Sequence, residues 1–248
     1  MIGLTLFSVG SLTIYTYGFF FVIAIVLSAM SMYFAAKKKG ISTEHLIEYL
    51  AYIILFGIVG ARISYYLLYP SQFTSFIDIF KIWQGGLVSY GGFIFATVAL
   101  IIAIKNFKDS ILPWLDIFLL SALLGLAIGR FGSFLSGEMA GLPYSGIFSV
   151  QGLFPVTLAE ALWNFIVFVI LSSIFYSKNT NLKPGILALE VLMLYSMGRF
   201  IIEFFRNEST IIVGLTLSQL VLVIIFVVSV SAFISRILFE KKGVQNVR

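Results

Sequence analysis

"GRFGSFLSGEMAG", Gly129 to Gly141, follows the almost unbroken apolar run "WLDIFLLSALLGLAI" at 114–128. Read together, the two stretches decide the fold. The run is long enough to be most of a bilayer crossing, and it ends on a permanent cation set among glycines and serines. An ionisable side chain at membrane depth costs a few kcal/mol even on lenient scales, so it pairs, snorkels or lines a functional cavity. Gly129 and Gly132 on either side of Arg130 let other backbone approach it.

The rest of the chain repeats the apolar half of this pattern. Of 248 residues, 60% are hydrophobic and 11% charged, and the mean hydropathy is +1.06. Too few polar side chains exist to coat a water-soluble globule of this size. Apolar runs at 14–35, 47–68, 87–104, 113–131, 156–176, 185–205 and 211–236 each approach the length of a bilayer core about 30 Å thick. The fold class this predicts is all-α: a polytopic integral membrane protein with seven transmembrane helices in a single transmembrane domain, 1–248. The first run has no basic segment before it and no small-residue cleavage site after it, so it reads as a retained span. The absence of cysteine excludes disulfides and thiolate chemistry from this chain, and one histidine, His45, excludes a clustered histidine site. No metal and no cofactor are expected.

The net charge of +5 is unevenly spread. Lys37, Lys38, Lys39, Lys105, Lys108, Lys178, Lys183, Arg236, Lys241, Lys242 and Arg248 fall in or beside alternate connections and the C-terminal tail. The positive-inside bias makes those segments cytoplasmic, with the N-terminus outside and the C-terminus inside. These cations serve topology and anionic membrane lipids, and no nucleic-acid partner is expected. Arg62, Lys81, Arg130, Arg199 and Arg206 escape that pattern. On this topology Arg62, Arg130 and Arg199 sit near the outer ends of outward-running spans. Tyr17, Tyr90 and Glu160 sit near the starts of inward-running ones, so one external-leaflet level gathers most of the polar residues.

Two external connections are long. Segment 69–86 mixes aromatic and polar residues and reads as lying along the interface. Segment 132–155, with five glycines and two prolines, cannot be regular helix throughout. In the cytoplasmic link, Ser42 or Thr43 is placed to cap the next helix, and "KNTNLKPG" at 178–185 is a polar turn. In "GRFIIEFFRN", Arg199, Glu203 and Arg206 stand at i, i+4 and i+7 and share one helix face. Guanidinium groups at headgroup level suit bidentate contact with a phospholipid phosphate. Glu138, Glu160 and Glu203 then partly neutralise the cluster and hold the arginines. A purely structural ion-pair network fits the same residues, and Arg206 also reads as a snorkelling interface cation.

The motifs carry a resemblance. The chain resembles the prolipoprotein diacylglyceryl transferase family, whose signature reads approximately G-R-x-G-N-F-x-N-x-E-x-x-G. Gly129, Arg130, Gly132, Phe134, Glu138 and Gly141 stand in register with it. The likeness continues in "GARISYYLLYP" around Arg62, "GGLVSYGGFI" around Tyr90, "FPVTLAEAL" around Glu160 and "GRFIIEFFRN" around Arg199. Departures are Ser133 and Ser136 for two asparagines, Tyr90 for a common histidine, and Phe154, Thr157 and Ala159 in a stretch where the family has His, Gln and Tyr.

The resemblance implies a bacterial inner-membrane enzyme with its site at the external leaflet. Its substrates would be phosphatidylglycerol and a prolipoprotein signal peptide whose lipobox cysteine supplies the nucleophile. It further implies that Arg130 holds the lipid phosphate, that Arg199 meets the departing phosphate oxygens, and that Arg62 is a supporting cation. Tyr90 would orient the thiol or a water, or else is an interfacial aromatic. Ser133 and Tyr17 would touch the lipid. An anion or lipid transporter and an inactive lipid-binding paralogue are the other readings compatible with the same cations.

Overall fold

Among the described residues, seven α-helices occupy the seven apolar runs of the computed structural model, which describes 4–9, 12–82, 85–138, 141–177, 182–210 and 214–245, without the side chains of Val9, Leu12, Phe76 and 239–245. They are α1 (Thr16–Lys38), α2 (Leu46–Leu68), α3 (Ser89–Asn106), α4 (Ile111–Leu135), α5 (Val156–Tyr176), α6 (Ile186–Glu203) and α7 (Leu217–Gln245). A helix satisfies its own backbone hydrogen bonds, which hydrocarbon cannot do for it, so long apolar runs become helices. Six of the seven are long and apolar enough to cross a membrane. The other, α6, has 18 residues and carries Glu190, Arg199 and Glu203. The chain is thus a polytopic, helical membrane protein.

The boundaries differ from the sequence expectation where local chemistry intervenes. The first run starts as a strand: β1 (Thr5–Val9) and β2 (Leu12–Tyr15) pair antiparallel, Ser8 opposite Thr13, before α1 begins. Their threonines, aliphatics and aromatics favour a pleated ribbon. The hairpin is locked to the helix because the Thr16 amide and hydroxyl both donate to the Leu4 carbonyl, at 3.0 and 2.8 Å. Helix α4 continues to Leu135, four residues beyond the expected end, and takes Gly132 and Ser133 into its last turns. Neither Ser42 nor Thr43 caps α2; His45 precedes it without a side-chain cap, and the Ser42 hydroxyl accepts from the Glu44 amide at 3.3 Å. Residues 178–181 of the polar turn, 211–213 of the last run, and Arg248 lie outside the described residues.

By its internal packing the chain divides into two compact units, Ala36–Trp114 and Met1–Ala35 with Leu115–Arg248. In the first, α2 and α3 pack through small residues. A Cβ on Gly60 would lie 2.3 Å from the Phe95 Cβ, and one on Gly91 would lie 1.8 Å from the Ser64 hydroxyl. Such close backbone approach is how helices gain dispersion contact where lipid offers no hydrophobic drive. The connection 69–88 folds over the end of α2 with two 3-10 turns, Pro70–Gln72 and Phe76–Phe80.

In the second unit, α1 meets α4 through Ser31, whose hydroxyl accepts from Ser121 at 2.9 Å, and through Phe20 against Gly132. Asp116 of α4 caps α6 from outside that helix, its carboxylate accepting from the Gly185 and Ala188 amides at 2.7 Å each. Trp163 of α5 packs against Gly198 of α6 and donates to the Leu194 carbonyl at 3.0 Å. These contacts fix α6 at its start and along its length.

Candidate active site

The second unit places its charges at the C-terminal end of α6. There Arg199 and Glu203 share one face of α6 as their spacing predicts, whereas Arg206, expected on the same helix face, lies three residues past the end of α6 and joins them from the turn that leaves it; α4 and α5 bring Arg130 and Glu160 to the group. Glu160 is the hub. One carboxylate oxygen meets the Arg130 Nε at 2.8 Å, and the other contacts both Arg199 Nη1 and Arg206 Nη2. Glu203 meets Arg199 Nη1 at 2.6 Å and Arg206 Nε at 3.2 Å. Both carboxylates are about 1% exposed.

Buried charges are tolerated only when paired, and here each carboxylate binds at least two guanidinium groups. Glu160 and Glu203 offset two of the three guanidinium charges, and Glu208, 3.7 Å from Arg206 at the exposed edge, offsets the third while it is ionised. Arg130, its side chain 25% exposed, is the most accessible of the three arginines. Its closest approach to Glu160 is through Nε. The planar guanidinium suits a singly charged phosphodiester.

Local structure explains the geometry. Pro155 starts α5, which puts Glu160 in the second turn on the buried face with Thr157. The Thr157 hydroxyl donates to the Glu138 carbonyl at 2.6 Å and ties the connection after α4 to α5. Beyond α6, Gly141 pairs antiparallel with Arg206, and the Leu142 amide donates to the Phe205 carbonyl at 2.9 Å. A Cβ on Gly141 would lie 1.8 Å from the Phe154 carbonyl, so only glycine fits there. Close approach is thus the job of Gly141 and Gly132. At Gly129, contrary to the sequence expectation, a Cβ would meet nothing within 4 Å.

The other expected residues fall as follows. Tyr17, in the first turn of α1, is 47% exposed, stacks on Phe21 and lies within electrostatic reach of Arg130 and Glu138. Glu138 is exposed. Ser133 is buried, and its carbonyl accepts from the Ser136 hydroxyl at 2.8 Å and the Glu138 amide at 3.0 Å. The serines here shape the turn that leaves α4.

Arg62 and Tyr90 belong to the other unit. The Arg62 guanidinium donates to the carbonyls of Ile79 (3.0 Å), Gly86 (3.1 Å), Asp78 (2.7 Å), Lys81 (3.1 Å) and Gly85, and lies 4.8 Å from the Phe73 ring centre. All five of its N–H donors are used in fastening 69–88. Lys81 pairs with Asp78 at 2.7 Å rather than facing a ligand. That lysine, with Thr74 and Ser75, holds the Asp78 carboxyl well below the usual range. Tyr90, in the first turn of α3, has a buried hydroxyl with no hydrogen-bond partner among the described residues. His45 stacks on Phe107 at 4.1 Å in the same unit.

Sequence reading missed Thr216, Gln219 and Glu208. Thr216 and Gln219 form a capping box at the start of α7: the Gln219 amide donates to the Thr216 hydroxyl oxygen at 3.2 Å, and the Gln219 side-chain oxygen accepts from the Thr216 amide at 2.9 Å. The Thr216 hydroxyl donates in turn to Glu203 at 3.3 Å. The T-x-x-Q spacing is a legible signal; its contact with Glu203 is not. Glu208 lies 3.7 Å from Arg206 and is partly exposed. Partial burial and the nearby Glu203 push its carboxyl above the ordinary range.

Comparison with known proteins bears on this site. The family profile described as "Prolipoprotein diacylglyceryl transferase" matches residues 4–235. A Clostridium botulinum (strain Langeland) protein named phosphatidylglycerol–prolipoprotein diacylglyceryl transferase is 32% identical over 252 residues, covering 95% of this chain and 97% of its own. A Prochlorococcus marinus subsp. pastoris protein of the same name is 30% identical over 245 residues, covering 86% and 82%.

Proposed function

The chain belongs to the prolipoprotein diacylglyceryl transferase family, and from that premise we propose that it transfers a diacylglyceryl group from phosphatidylglycerol to the lipobox cysteine of a prolipoprotein. The observation that carries this reading is the network of Arg130, Arg199 and Arg206 around Glu160 and Glu203, with Arg130 its most accessible cation. Seven spans, an external N-terminus and a site at the external leaflet of a bacterial inner membrane complete the proposal. The unequal placement of lysines supports the orientation.

In the reaction the substrate thiol, as thiolate, attacks the glycerol carbon that bears the phosphate. A C–S bond forms, the C–O bond to phosphate breaks, and glycerol-1-phosphate leaves with the bonding pair. The protein needs no nucleophile of its own, which suits a chain without cysteine. Arg130 grips the lipid phosphate, and Arg199 stabilises the charge that grows on the departing oxygens. Glu160 and Glu203 hold those guanidinium groups in place, so little reorganisation is needed as charge develops. Arg206 extends the cationic face. Tyr17, Ser133 and Glu138 border the lipid; Tyr90, in the other unit, keeps a buried hydroxyl without a hydrogen-bond partner among the described residues. Arg62 serves indirectly by fastening the 69–88 connection.

Purified protein given phosphatidylglycerol and a lipobox peptide should release glycerol phosphate. Arg130→Lys should lower that rate at least about 100-fold with the fold intact, because an ammonium cannot present a planar fork. In cells depleted of their own transferase the native chain should restore growth and Arg130→Ala should not. No release alongside normal lipid binding would replace this reading with that of an inactive paralogue.

A further inference from the structure

The connection between α4 and α5 ends in a feature the transfer reaction does not use. From Leu142 the chain runs out and back: the Tyr144 amide donates to the Gly152 carbonyl at 2.8 Å, the Phe154 amide to the Leu142 carbonyl at 3.0 Å, and Val150 pairs with Leu153. At the far end the Ser149 amide donates to the Gly146 carbonyl at 2.9 Å and closes a tight turn. Ile147 and Phe148 occupy its two corners. Turn corners favour Gly, Pro, Asn, Asp and Ser, yet this one presents two large apolar side chains, 91% and 66% exposed. Ile147 is the most exposed of the large apolar side chains among the described residues.

We propose that this tip is a membrane anchor, with Ile147 and Phe148 inserted into the leaflet at which α4 ends and α5 begins. Several observations favour lipid as the occupant. The hairpin is rooted between the ends of two membrane helices, and it pairs with the chain leaving α6. Ile147 is five residue steps from Leu142, so the tip stands no more than roughly 17 Å from that root, within reach of the headgroup layer. Residues 141–155 contain no Asp, Glu, Lys, Arg or His, so insertion desolvates no charge. Behind the tip, Tyr144, Phe154 and Phe205 form an aromatic row, with ring centres 5.5 and 4.5 Å apart, the composition of an interfacial belt. The backbone pairing to Arg206 makes the anchor a brace for the cationic face.

The chain has no cysteine, so single-cysteine variants of the full protein can be spin-labelled without background. Labels at Ile147→Cys, Phe148→Cys, Ser145→Cys and Gln151→Cys would be studied in nanodiscs of phosphatidylglycerol and phosphatidylethanolamine. Oxygen, which partitions into hydrocarbon, competes there with a water-soluble nickel chelate. The anchor requires a several-fold higher oxygen-to-nickel accessibility ratio at 147 and 148 than at 145 and 151. A ratio favouring nickel at all four positions overturns it. A ratio that turns to oxygen at 147 and 148 only after a lipobox peptide is added overturns it too, and makes the tip a peptide-docking surface. Neither result depends on whether the protein transfers lipid.

Discussion

Glu160 shows how much one side chain can decide. It touches three arginines, from α4, from α6 and from the chain beyond α6, at about 1% exposure, so Glu160→Gln leaves three guanidinium groups crowded around a neutral amide. Breaking a buried ion pair from one side costs about 3 kcal/mol or more. The expected outcome is a fall in Tm of roughly 10 °C together with loss of transfer, measured by thermal unfolding in detergent. Glu208 acts in the other direction. Its carboxyl titrates above the ordinary glutamate range, so it becomes neutral as pH falls through that raised value, and the cationic face then gains net charge. The KM for phosphatidylglycerol should therefore drop on going from neutral to mildly acidic pH. Glu208→Gln should show the low-pH value throughout. Arg130, Arg199 and Glu203 were legible as candidates because charges are rare in an apolar chain. Glu160 as the hub was not, since nothing in "FPVTLAEAL" says how many arginines surround its carboxylate.

At the scale of elements, the caps and connections carry the testable consequences. Thr216 starts α7 and reaches Glu203, so Thr216→Val should cost about 1–2 kcal/mol and loosen the end of α6 as read by hydrogen exchange. Connection 69–88 depends on Arg62 and on Asp78. The Asp78 carboxyl is held below its usual range by Lys81, Thr74 and Ser75. A depressed carboxylate contributes stability above its unfolded pKa and loses it only as pH falls through the lower folded value. Amide protection over 74–82 should consequently persist from pH 7 to about 4 and be reduced at every pH in Asp78→Asn. Sequence pattern located the helices, since a bilayer leaves few alternatives to helix for apolar runs of this length. It missed the N-terminal hairpin and the extension of α4 to Leu135. Those boundaries depend on the Leu4 contact with Thr16 and the packing of Phe20 on Gly132, neither of which leaves a periodic trace.

For the whole molecule, the proposed orientation makes a direct prediction. Lys105 and Ser71 lie near opposite ends of the α2 and α3 pair. In intact cells a cysteine at Ser71 should react with an impermeant maleimide, and one at Lys105 should react only after the membrane is opened. The reverse result would invert the proposed orientation. Composition alone established that this is a helical membrane protein without thiol chemistry, because hydropathy and the cysteine count are sums that no folding can alter. The spacing of Arg199 and Glu203 likewise fixed their common face, because helical periodicity is a local property, while Arg206 lies beyond the end of α6 and joins them through the fold. Which arginine remains accessible, which is spent on backbone carbonyls and which carboxylate joins three helices were decided only in the tertiary structure. Arg62 and Arg130 look alike along the chain. They differ because a guanidinium's role is set by the acceptors within about 3 Å of it, and those come from residues far away in sequence.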